Sequence, residues 1–140
     1  YLFSNTIAPV VVSGVLKVMD LISTNTERRD KLEFNTDFWR KGLTDLGIII
    51  KEGDTPIVPV MLFNAKLAQD VSRDLYQEGI YAIGFFFPVV PQGAARIRTQ
   101  ISAGHEIHHL EKALAAFEKV GKKYNILGKT KAEIIEMYGN

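Results

Sequence analysis

The sequence predicts an α+β fold, a small and mainly antiparallel sheet covered by helices on one face, and three observations predict it. Two stretches with apolar residues at helical spacing come first, before any strand-like run. Three short β-type runs follow. A helical stretch separates the first two, and only a proline- and glycine-bearing connection separates the last two, as in a hairpin. At 140 residues, 46% hydrophobic and 24% charged, the chain is long enough for one domain with its own core.

Pro9 suits the first turn of a helix, and Val11, Val12, Val15, Leu16, Met19 and Ile22 carry an apolar face from there to about Ser23. After a break at "STNT", Thr26 is expected to cap a second helix from Glu27, with Leu32, Trp39, Leu43 and Leu46 at helical spacing and Gly47 at its end. The stretch "IIIKEGDTPIVPVML" turns at Glu52 to Thr55 and gives a strand from Ile57 to Leu62. Pro59 cannot donate to a ladder, which places that strand at an edge. Asn64 opens a third helix through Leu67, Val71 and Leu75, closed by Gly79. "IYAIGFFF", residues 80–87, reads as a second strand, and Ala95 to Gln100 as a third. A helix from His105 to Tyr124 carries Ile107, Leu110, Leu114 and Phe117, with Lys122 and Lys123 in the last turn, where the dipole favours cations. "TKAE", Thr130 to Glu133, has capping-box spacing and signals a final short helix. The expected organisation is a leading segment and helix over residues 1–26, the α+β domain over 27–127 and a helical extension over 128–140.

Composition excludes several classes of function. With 17 basic against 16 acidic residues, the net charge of +1 supplies no broad cationic field, so neither nucleic acid nor a membrane is an expected partner. The absence of cysteine excludes disulfides and thiolate metal sites and fits a reducing compartment, so a cytoplasmic protein is expected. No apolar run is long enough to span a bilayer as a helix. The chain starts on "YLF" rather than Met, which gives the expectation of a piece from a longer polypeptide.

Three motifs carry chemistry. In "GFFFPVVPQGAARIRTQ", residues 84–100, strand alternation puts Arg96, Arg98 and Gln100 on one side and Ile97 and Thr99 on the other. Two guanidinium groups just past an apolar loop make either a solvated sheet face or a place where a carboxylate is held. The planar fork of arginine suits the second role better than lysine would. Phe85 to Val90 are expected to wall off water there, which strengthens an ion pair. Ser4, Asn5 and Thr6 precede the first helix, where they serve as ordinary caps or as donors to an anion such as phosphate. "HEIHH", His105 to His109, satisfies H-E-x-x-H, in which two histidines one turn apart bind zinc and the glutamate activates water. Gly104 puts His105 at the helix entry, however, and both histidines lie off the apolar stripe towards solvent. The motif therefore reads as an exposed helix start, and no metal ligand is assigned.

The segments "YLFSNTIAP", "EGIYAIGFFFPVVPQGAARIRTQISAGH" and "EKALAAFEKVGKKYNIL" resemble the α-oxoamine synthases, pyridoxal-phosphate enzymes of the aspartate aminotransferase fold type. The resemblance covers the chain up to about Leu127. It implies the C-terminal domain of a fold-type-I enzyme in which Arg98 holds the carboxylate of the amino-acid substrate. It also implies that Ser4 and Asn5 reach across the interface of a homodimer to the phosphate of the other subunit's pyridoxal phosphate. His105 matches a histidine of the family's "SAxH" segment, whereas Glu106, His108 and His109 match no family motif. The Schiff-base lysine of such enzymes lies upstream of any segment present here, so these 140 residues alone are expected to be inactive, with no catalytic residue among them. The aromatic and Pro-Gly spacing is most similar to members that join glycine to acetyl-CoA in threonine degradation. Members that use longer acyl-CoAs, or a freestanding amino-acid-binding regulatory module, are the alternatives.

Overall fold

A computed structural model describes residues 6–139. Among these residues, five helices and three strands run in the order α1 (Pro9–Thr24), α2 (Glu27–Asp45), β1 (Ile57–Phe63), α3 (Ala65–Gln77), β2 (Ile83–Phe85), β3 (Ala95–Gln100), α4 (Ile107–Lys123) and α5 (Lys131–Tyr138). The sheet is antiparallel throughout, with strand order β1-β3-β2, so the arginine strand is central. The predicted element order and fold class are observed.

Pairing across the sheet fixes which residues share a face. Val60 and Gly84 flank Ile97 on the core side, while Pro59 and Ile83 flank Arg98 on the other. Val58, Val60, Ile97 and Ala95 are buried against α2, α3 and α4, whose Trp39, Leu43, Leu67, Val71, Leu75, Leu110 and Phe117 complete one core. Gly84 suits a close approach of strand to helix, since a Cβ there would sit 3.1 Å from the Ala68 carbonyl oxygen of α3. β1 is an edge strand of this sheet, as Pro59 predicts, and a single bridge from Ile50 to Val60 covers part of its outer side. The second strand is shorter than expected: only Ile83–Phe85 pair with β3, while Tyr81 is 79% exposed and Phe86 turns to pack on the core.

Helix ends follow their capping chemistry with two exceptions. Asn64 accepts from the Leu67 N–H at the start of α3, and Thr130 with Glu133 forms the expected box at α5. Thr26 makes no cap bond; Asn25 accepts from the Glu27 N–H instead, and the Thr26 hydroxyl turns to Asp30. α4 begins at Ile107, so His105 lies before the helix rather than in its first turn. Gly47, with φ 72°, ends α2 as predicted, and its carbonyl accepts from the Gly128 N–H, joining the end of α2 to the connection between α4 and α5.

α1 carries the apolar residues foreseen, yet none of its sixteen residues is buried, and Val11, Val15, Leu16, Met19 and Ile22 are all more than half exposed. α5, by contrast, delivers Ile134 into the main core at 1% exposure. The Asn64 amide donates to the Tyr138 carbonyl at 2.8 Å, and the Tyr138 hydroxyl donates to the Tyr124 carbonyl at 2.7 Å.

Candidate functional site

Strand alternation places Arg96, Arg98 and Gln100 on the face of the sheet opposite the core, which no helix covers among the described residues. Arg96 is half-buried between Met61 and Phe85, and Arg98 is exposed between Pro59 and Ile83. The Arg98 guanidinium carbon lies 5.9 Å from the centre of the Phe85 ring, a diagonal neighbour on β2. Among the described residues no carboxylate pairs with Arg98. Its fork remains available, whereas the ion pairs of this chain lie elsewhere, chiefly along and between α2, α3 and α4.

Because β2 ends its pairing at Ile83 opposite Arg98, β3 runs on with a free edge beside the start of α4. A cleft of about 810 Å³ opens there. Its apolar walls are Ile80, Ile83, Ile101, Leu110 and Phe117, and its polar side chains include Arg98, Gln100, His105, His109 and Lys112. Among the described residues no Asp or Glu lines it, although acidic residues nearly equal basic ones in the chain. Such a lining accepts an anionic group beside an apolar body. The aromatic loop contributes less than expected: Phe85 touches the site, but Phe87 and Val89 are 59% and 70% exposed, and Val90 is buried elsewhere.

α2 holds this region from behind. Trp39 Nε1 donates to the Thr99 hydroxyl at 2.9 Å, and that hydroxyl donates to the Val58 carbonyl at 2.6 Å, tying helix to central strand to edge strand next to Arg98. One turn earlier Asn35, 1% exposed, donates to the carbonyls of Ser102 and His105. Both anchors escaped the sequence reading, which took Trp39 for apolar packing and passed over Asn35. The available signal was Asn35 falling between Leu32 and Trp39 on the same helical stripe.

The H-E-x-x-H residues have local partners. Glu106 is paired with Lys31, whose ammonium holds its carboxyl below the usual carboxylate range. His105 Nδ1 accepts from the Ser102 N–H at 3.2 Å, and His109 Nδ1 from the Glu106 N–H at 3.0 Å. A metal-bound histidine uses one nitrogen as ligand and donates from the other, so these bonds run in the opposite sense and leave the proton on the outward Nε2. The expectation that the histidines face away from any walled cleft is corrected: both line the cleft that contains Arg98, His105 half-buried just before α4 and His109 exposed within it.

Ser4 and Asn5 lie outside the described residues. The cleft itself fits a carboxylate and not a cofactor aldehyde. An amine that forms a Schiff base is best held in a dry pocket, where burial favours its neutral form. Lys112, the one lysine that lines the cleft among the described residues, is exposed.

Fold and site together define a small α+β domain with an exposed arginine at the edge of a largely apolar cleft. Residues 1–117 match the family described as aminotransferase class I and II, and the chain belongs to that family. It is 42% identical over 127 residues to the 2-amino-3-ketobutyrate coenzyme A ligase of Escherichia coli, covering 91% of this chain and 32% of that protein. The 8-amino-7-oxononanoate synthase of Fervidobacterium nodosum is 41% identical over the same lengths. Among solved structures, a serine palmitoyltransferase from S. paucimobilis with a bound PLP-myriocin adduct superposes with a TM-score of 0.81 at 26% identity, over 89% of this chain and 32% of that one. The resemblance to the α-oxoamine synthases is thus borne out, and the family is one of pyridoxal-phosphate enzymes. The chain spans about a third of the length of the curated relatives it matches.

Proposed function

We propose that this chain is the part of an α-oxoamine synthase that holds the amino-acid substrate by its carboxylate, in an enzyme that condenses glycine with acetyl-CoA to 2-amino-3-oxobutanoate and CoA. The observation that carries the reading is Arg98: exposed on the open sheet face, over the Phe85 ring, with neither a carboxylate partner nor an acidic side chain lining its cleft among the described residues. A guanidinium so placed binds both oxygens of a carboxylate and fixes the orientation of the α-carbon, while moving no proton itself. Ser4 and Asn5 are proposed to hold the phosphate of pyridoxal phosphate in the second subunit of a cytoplasmic homodimer. The cofactor brings the electron-sink chemistry, and the protein supplies position and charge.

Arg98→Ala and Arg98→Lys in the full-length protein test the assignment. A hydrogen bond to a charged group contributes about 1.5–3 kcal/mol, so the alanine variant is expected to need roughly tenfold more glycine, or above, for half-maximal rate. An unchanged requirement removes the reading. The 41% identity to an 8-amino-7-oxononanoate synthase favours a second reading, with a longer acyl donor. Turnover of acetyl-CoA against longer acyl-CoAs separates the two. Membership of the aminotransferase family weighs against a freestanding regulatory module.

A further inference from the structure

His105 is held at two points. The buried amide of Asn35 donates to the His105 carbonyl at 2.9 Å and to the Ser102 carbonyl at 3.1 Å, which fixes the chain on either side of Gly104. The Ser102 N–H then donates to His105 Nδ1, which fixes the ring. A backbone N–H can only donate, so Nδ1 carries no hydrogen and the neutral imidazole keeps its proton on Nε2. The half-buried ring therefore offers one N–H of defined direction, and the residue lines the cleft that Arg98 enters. Among the described residues no carboxylate lines that cleft to take it. His109 has the same tautomer through the Glu106 N–H, but it is exposed.

We propose that His105 is a second substrate-binding residue, whose Nε2–H donates to an acceptor oxygen of the substrate pair, either a carboxylate oxygen or the carbonyl oxygen of the acyl donor. A donor whose backbone and ring are both fixed before binding loses little freedom when the oxygen arrives. The inference rests on the reading of Arg98 as a carboxylate ligand and extends it to a further contact.

Two variants of the full-length enzyme separate this role from support of the loop. In His105→Asn the side-chain oxygen takes the place of Nδ1, keeping the bond from Ser102 and losing the outer donor. In His105→Gln the side-chain amide reaches the place of Nε2, supplying an N–H and losing the Ser102 bond. His105→Asn is expected to raise the half-saturating concentration of one substrate about tenfold, with His105→Gln much nearer the native value. A rise for the amino acid identifies the carboxylate as the acceptor, and a rise for the acyl donor identifies its carbonyl. If the asparagine variant is native-like, or if the glutamine variant is equally or more impaired, the ring serves only the loop and the proposal fails. Arg98→Lys measured alongside tells the two failures apart. An unchanged amino-acid requirement in that variant overturns the carboxylate reading itself, whatever His105 does.

Discussion

Arg98 and Phe85 meet across the β2–β3 pair, with the guanidinium carbon 5.9 Å from the ring centre, although their direct cross-strand partners are Ile83 and Arg96. Diagonal neighbours on one face lie within reach of long side chains, so the strand register, set by residues that touch no ligand, aims the arginine. The ring holds the guanidinium without consuming the hydrogen-bonding edge that a carboxylate needs.

Phe85→Leu keeps an apolar side chain and removes the π face. An exposed cation–π contact contributes about 0.5–1 kcal/mol, which corresponds to a two- to fivefold rise in the amino-acid concentration for half-maximal rate of the full-length enzyme. Steady-state kinetics check it; a rise in the acyl-donor requirement alone contradicts it.

Thr99→Val removes the acceptor of the Trp39 N–H inside a core where Trp39 is 2% exposed. An unpaired buried donor costs about 1–3 kcal/mol, and denaturant unfolding is expected to show a loss in that range. Adding Trp39→Phe should then cost less than it does in the native background, because the orphaned N–H leaves with it. Strict additivity of the two changes counts against the pairing.

Gly47→Ala meets two obstacles together. The residue has φ 72°, and a Cβ there would stand 2.5 Å from the Gly128 nitrogen. A left-handed conformation alone costs a non-glycine residue of order 1 kcal/mol or more, and the contact adds to it, so a loss of about 2 kcal/mol or above is expected on unfolding.

The α5 box makes that helix acid-sensitive. Glu133 is held at about 2, against an ordinary 4.5, first by the Thr130 N–H, then by the Thr130 hydroxyl and Lys129. A carboxyl depressed in the folded state stabilises fully above its unfolded value, and that contribution fades as pH falls from 4.5 towards 2. The Ile134 methyl signals in NMR are expected to change across that window, and Glu133→Ala should show the loosened signals already at neutral pH. Signals in the native protein that hold steady down to pH 2 would falsify this account.

Much of the fold was legible because local chemistry and tertiary demand agree. Alternation over Ala95–Gln100 gave the two faces of β3, Pro59 gave an edge, and Asn64, Gly47 and the Thr130–Glu133 spacing marked helix ends that the structure keeps. The second strand misled because "IYAIGFFF" is apolar throughout, and an apolar run does not say where pairing stops; the close contact of Gly84 with α3 and the inward turn of Phe86 decide that. For the site, Arg98 could be named from its pattern, but not its supports. Asn35 and Trp39 serve chain segments sixty or more residues away, with sequence separations of 67 and 60 for their bonds to Ser102 and Thr99, and periodicity carries no such information. The cleft that the histidines line was not legible either, because it is closed by Trp39 and Ile80 to Ile83 from distant parts of the chain.

Asn64 serves two clients, accepting from the Leu67 N–H with one side-chain atom and donating to the Tyr138 carbonyl with the other, 74 positions further along. Anyone trimming the chain to the segment that matches its family, which ends at residue 117, would discard the second client together with Ile134. The shortened product would be flawed in the middle rather than at its tip, with a stranded amide at the mouth of α3 and a hole in the interior.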